Sequence, residues 1–138
     1  MKVLVDTTVW SLALRRRRRQ ARQEALVVEL TELIDELRAV LIGPVRQELL
    51  SGIPNPKDFE VVREHLAAFD DLEIETYDYV QAAHLFNLCR KKGVQGSNVD
   101  FLICAVATRH SAAIFTTDKD FMNYAKHIDL EIHTPRRG

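Results

Sequence analysis

The chain is poor in the features that hold small proteins together without a core or anchor them to a bilayer. It has two cysteines in 138 residues, Cys89 and Cys104. Both sit in apolar, helix-like contexts without Cys-x-x-Cys or Cys–His spacing, which argues against a disulfide scaffold or a zinc site and suits reduced core thiols. Five glycines and four prolines leave no low-complexity tract, and no internal repeat is visible. Only a short apolar run precedes Asp6, so no secretory leader is expected, and no stretch approaches membrane-spanning length; a cytoplasmic protein without membrane contact is expected. An excess of one charge is also missing. The 19 Lys and Arg against 20 Asp and Glu give a net charge of −1, so no global basic surface announces a nucleic-acid partner. The five histidines, His65, His84, His110, His127 and His133, share no spacing that would suit paired acid–base chemistry.

What is present is a 46% hydrophobic, 28% charged composition, enough for one domain, 1–138, with a real core. Lys2 to Val5 reads as a short buried strand, followed by a helix beginning near Val9. Leu26, Leu30, Leu33, Ile34 and Leu37 recur at helical spacing from Arg22 to Leu37. A second apolar run at 40–42 ends at Gly43-Pro44 and leads into a helix over 45–50. Phe59, Val62, Leu66 and Phe69 mark a fourth helix, and Leu72 to Thr76 reads as a third strand. Tyr77 to Lys91 is helical, and Ser97-x-x-Asp100 resembles a capping box opening an almost wholly apolar helix. Ala113 to Thr116 should be a fourth strand, Lys119 to His127 a short helix and Leu130 to His133 a last strand. This alternation predicts an α/β domain with a central parallel sheet and helices on both faces.

Four acids interrupt apolar or turn contexts: Asp6, Glu48, Asp100 and Asp118. Singly, each has a bland reading, Asp6 and Asp118 as helix caps, Asp100 as the acid of a capping box, Glu48 as a surface residue. Together they can converge on one edge of the sheet, where several carboxylates repel unless a cation neutralises them. An all-oxygen set without His or Cys selects a hard ion, Mg²⁺ or Mn²⁺, and points to metal-assisted phosphoryl chemistry.

The ordered motifs VDTTVW, VRQELLSG, GSNVDFLICAVA and IFTTDKDF resemble those of the PIN-domain ribonucleases, most closely the VapC-type toxins of toxin–antitoxin pairs, over essentially the whole chain. The resemblance implies strand order 3-2-1-4-5, with Asp6 and Asp118 meeting at the switch point. It implies Asp6, Asp100 and Asp118 as ligands of Mg²⁺ or Mn²⁺, and Glu48 as support for the metal or for deprotonating the attacking water. RNA would be cut to 5′-phosphate and 3′-hydroxyl ends. Thr8 and Thr116 match hydroxyl positions where a side chain can hold a metal-bound water or steady a ligating carboxylate. Asp120 has two readings, one as a partner of the helix dipole and one as support for the metal site. An antitoxin partner and a homodimer are expected, with the amphipathic segments 22–37 and 56–69 as candidates for the antitoxin contact.

The run Arg15, Arg16, Arg17, Arg18 and Arg19, with Arg22 beyond it, contacts RNA or antitoxin, or is a solvated helix end whose cations suit the dipole. From a helix starting at the catalytic turn it would lie about 15 Å from the cut bond. Trp10, at helical spacing from Leu14, reads as core. Lys119 is a surface lysine or a phosphate contact. A haloacid-dehalogenase-like phosphatase would need an acid where Thr8 stands, and a response-regulator receiver would need an Asp at the end of the third strand. A catalytically silent PIN-like module that binds RNA or protein is the alternative function, and retention of every acid argues against it.

Overall fold

The computed structural model of the protein describes residues 1–14 and 18–136. The first strand, β1 (Val3–Val5), is the centre of a parallel sheet. On one side it pairs with β2 (Ala39–Val40), Val3 opposite Ala39, and on the other with β3 (Ala113–Phe115), Val5 opposite Phe115. Val3, Leu4 and Val5 are all 0% exposed. Since successive strand residues face opposite sides of a sheet, both faces must be covered. The described residues form seven helices around the sheet or on one another: α1 (Thr7–Leu14), α2 (Ala21–Asp35), α3 (Gly43–Ser51), α4 (Pro56–Leu66), α5 (Thr76–Lys91), α6 (Asn98–Arg109) and α7 (Asp120–Tyr124).

The order β2-β1-β3 is the middle of the expected 3-2-1-4-5 sheet. Its two outer members shrink to single parallel bridges, Leu41 with Asp71 and Ile114 with Ile132, so the expected strands over 72–76 and 130–133 do not form as regular strands. Polar side chains take the hydrogen bonds that would have extended them. The Glu75 amide donates to Asp78 Oδ2, and the Glu73 carbonyl accepts from Arg109 Nη2. At the other edge His133 N donates to the Ile114 carbonyl, but Pro135 follows two residues later and has no N–H to continue a ladder.

The helices start where the sequence provides a start. Asn55 Oδ1 accepts from the amides of Lys57 and Asp58 with Pro56 in the first turn of α4, and Ser97 Oγ accepts from the Asp100 amide at the head of α6. These are the two sides of helix initiation, a side-chain acceptor for an orphan amide and a proline that has none. α6 buries Phe101 through Ala107 without a break and packs on β1 and β3, the central place its all-round apolar pattern implies. Both thiols are fully buried, and burial pushes each pKa up. Trp10 is core, its ring edge-on to Phe69 with centroids 5.0 Å apart.

Candidate active site

The chain leaves β1 for β2 on one side and returns to β3 on the other, so a crevice opens at the carboxyl ends of β1 and β3, where ligands gather in open parallel sheets. A groove of about 1150 Å³ occupies it, with Asp6, Glu48, Asp100 and Asp118 all in its lining. α1 begins at Thr7, two residues before the periodicity suggested, because the Asp6 carbonyl already accepts from the amides of Val9 and Trp10. Asp6 therefore does stand at a helix start, but its carboxylate serves another purpose.

Asp6 is buried, 6% exposed. Its Oδ2 accepts from Thr116 Oγ1 at 2.8 Å and Thr8 Oγ1 at 3.1 Å. Each hydroxyl has a second task, since Thr116 Oγ1 accepts from the Asp118 amide and Thr8 Oγ1 from the Thr117 amide, both at 3.0 Å. Two threonines thus splice the β1 turn to the β3 turn through Asp6. Burial pushes the Asp6 carboxyl up from its ordinary value. The Thr116, Thr7 and Thr8 hydrogen bonds oppose that rise, and Asp118 nearby adds to it.

Asp100, in the first turn of α6, is raised mainly by burial too, with the Tyr124 and Ser97 hydroxyls pulling it back and Asp118 and Asp6 pushing it further. Asp118 Oδ1 accepts from the Asp120 amide at 2.9 Å. Asp100, Asp118 and Asp120 each bring a carboxylate oxygen within 4.8 Å of the others. Asp120 joins this set, while Asp6 sits beside it in the groove. Glu48, exposed on α3, has Oε2 3.0 Å from the donating Thr7 hydroxyl. Among the described residues none of these five acids is in an ion pair. Crowded, unpaired, all-oxygen and partly desolvated, the set is suited to a hard divalent cation.

The arginine run divides. Arg15, Arg16 and Arg17 lie outside the described residues. Arg18 is exposed, and Arg19 is engaged locally, donating to the Leu12 carbonyl of α1 at 2.9 Å and to Glu24 at 2.7 Å. Among the described residues, the cations that line the groove are Arg22, at the head of α2, and Lys119. Sequence reading passed over Thr7, Gln23 and Tyr124. A threonine beside Thr8 gives no sign of which acid it meets, and an aromatic three residues after Phe121 reads as core.

Relatives agree with this architecture. The VapC ribonuclease Mb1587 of Mycobacterium bovis is 27% identical over 133 residues, 94% of this chain and 96% of that protein, and ribonuclease VapC11 of Mycobacterium tuberculosis matches to the same degree. Among solved structures, FitAcB from Neisseria gonorrhoeae superposes with a TM-score of 0.72 at 24% identity, covering 96% of this chain and 97% of that one. VapBC-1 from nontypeable Haemophilus influenzae gives 0.73 at 18% identity with the same coverage. The family model for the PIN domain matches residues 3–127, and the chain belongs to that family.

Proposed function

We propose that the protein is a Mg²⁺- or Mn²⁺-dependent endoribonuclease, the toxin of a VapBC-like toxin–antitoxin pair, hydrolysing RNA to 5′-phosphate and 3′-hydroxyl ends. The observation that carries this reading is the set of carboxylates, without an ion pair among the described residues, gathered at the β1/β3 crevice beside Arg22 and Lys119. The VapC ribonucleases among its relatives support the same substrate class.

Asp100, Asp118 and Asp120 would hold the cation, with Asp6 adjoining them. The bound ion would supply charge neutralisation for the phosphoryl group and a more acidic water. The remaining work belongs to the chain. Thr8 and Thr116 keep Asp6 in one orientation, so its charge is fixed before substrate arrives. Glu48, exposed and hydrogen-bonded by Thr7, would take the proton of the attacking water as the new P–O bond forms and the P–O3′ bond breaks, the 3′ oxygen leaving with a proton from solvent. Arg22 and Lys119 flank the acids and would hold backbone phosphates, which the groove's own negative charge would otherwise repel.

An antitoxin protein is the proposed partner; solved neighbours include VapBC2 of Rickettsia felis bound to a DNA fragment from their promoter. A homodimer and a cytoplasmic location complete the reading, and no helix among the described residues is long and apolar enough to cross a membrane. The test is purified protein against structured and single-stranded RNAs, with Mg²⁺ or Mn²⁺ and with chelator. Cutting that requires the metal and is lost in Asp6→Asn and Asp100→Asn is expected; cutting indifferent to chelator, or RNA binding without cutting under every metal condition, refutes it.

A further inference from the structure

Tyr124 belongs to no acidic motif, yet its hydroxyl donates to Asp100 Oδ2 at 2.6 Å, the length of a charge-assisted bond. The residue is 0% exposed. Its ring is wedged between Phe101 and Phe121, with centroids 4.7 and 5.3 Å away, so the hydroxyl has little freedom to point elsewhere.

Gly96 completes the arrangement. A Cβ at that position would overlap the Tyr124 hydroxyl and lie 2.6 Å from its Cζ and 2.9 Å from Phe101 Cε2. Gly93 is the glycine with positive φ among the described residues, so Gly96 is needed for space and not for backbone conformation. In sequence it looks like an ordinary turn glycine before Ser97. In the fold it is a notch that admits a phenol.

We propose that Tyr124, admitted by Gly96, is a positioning residue for divalent-cation binding, holding Asp100 in the orientation in which it meets Asp118 and Asp120. The proposal rests on the reading of the groove as a cation site. A carboxylate on the first turn of a helix is otherwise free to rotate, and a cation would have to order it on binding. Hydrogen-bond partners of ligating groups commonly change metal affinity by about 10- to 100-fold. A tyrosine that merely fills core space would change stability and leave that affinity alone.

The test is Tyr124→Phe, which keeps the ring and removes the hydroxyl. Mn²⁺ is titrated calorimetrically without RNA, the apo melting point is recorded, and cleavage is followed over a range of Mn²⁺ concentrations. About a tenfold weaker Mn²⁺ affinity is expected, with cleavage restored at saturating Mn²⁺. Gly96→Ala, which displaces the hydroxyl without deleting it, should weaken Mn²⁺ binding in the same direction. Unchanged affinity in Tyr124→Phe, or a cleavage defect that saturating Mn²⁺ does not restore, overturns the positioning role alone. Failure of the wild type to bind Mn²⁺ overturns the cation site and this role with it.

Discussion

Asp6 and Asp78 are both buried aspartates, 6% and 0% exposed, and the fold treats them in opposite ways. Asp78, at the head of α5, receives Arg109 Nε at 2.8 Å and Nη2 at 2.9 Å. The Arg109 hydrogen bonds draw its carboxyl down, against burial, with the Glu75 amide and the arginine's charge assisting. At Glu29, 2% exposed, burial pushes the carboxyl up, but His133 and Arg136 together outweigh it and the net shift is downward. Asp6 has hydroxyls where these acids have cations, and its carboxyl is raised. A buried acid given an arginine is part of the scaffold. One given hydroxyls, a backbone amide and other acids but no cation retains an unmet demand for positive charge, which supports the proposal that the groove is the working region.

The sharpest way to break this contrast is to neutralise one acid of each kind. Asp6→Asn should lower RNA cleavage by about 10²- to 10³-fold in a single-turnover assay, with an unchanged or raised melting point because a desolvated charge is gone. Asp78→Ala should do the reverse, lowering the denaturant midpoint by removing the carboxylate that takes two hydrogen bonds from Arg109, with cleavage per folded molecule unchanged.

Acid separates the regions without mutation. Asp6 and Asp100 have raised values, so they take up protons first and cation affinity falls as pH drops through their range. Asp78 and Glu29 have lowered values; their stabilisation is fully present above the unfolded carboxylate pKa and is lost only as pH falls through the lower folded values. Mn²⁺ titration and circular dichroism over a pH series should therefore reveal a range in which the chain is folded and does not bind the cation. Loss of fold and affinity at the same pH would remove the distinction. The smallest effect belongs to Arg136, 43% exposed, which bridges Glu29, Glu32 and Glu36. Arg136→Ala should lower the melting point only slightly, and less still in high salt, where exposed ion pairs are screened.

The acids that gather in the groove were legible because they stand at fixed spacing from strands that are themselves legible. Asp6 directly follows Val3-Leu4-Val5, Asp118 stands beyond Thr116 and Thr117 after the run Ala113-Ile114-Phe115, and the parallel topology does the rest. Asp120 was legible only as an ambiguity, since a carboxylate in a first helical turn looks the same whether it meets a dipole or two other acids. The outer strands misread because Leu72 and Ile74 have strand-like alternation, while the competition came from distant side chains, Arg109 among them. Tyr124 was hidden for the same reason. Its partner lies 24 residues away, and neither the phenol nor the notch at Gly96 bears a local mark of the other.

The central position of β1 bears on timing as well as geometry. Val3 N donates to the Arg38 carbonyl on one side and Asp6 N, just past the strand, to the Phe115 carbonyl on the other, and these amides lie among fully buried residues. Such amides exchange with solvent only in the rarest openings. The floor of the groove should therefore stay protected in deuterium exchange long after Arg22, Gln23 and Gln47 at its walls have exchanged, leaving any adjustment to an incoming strand or protein to those walls.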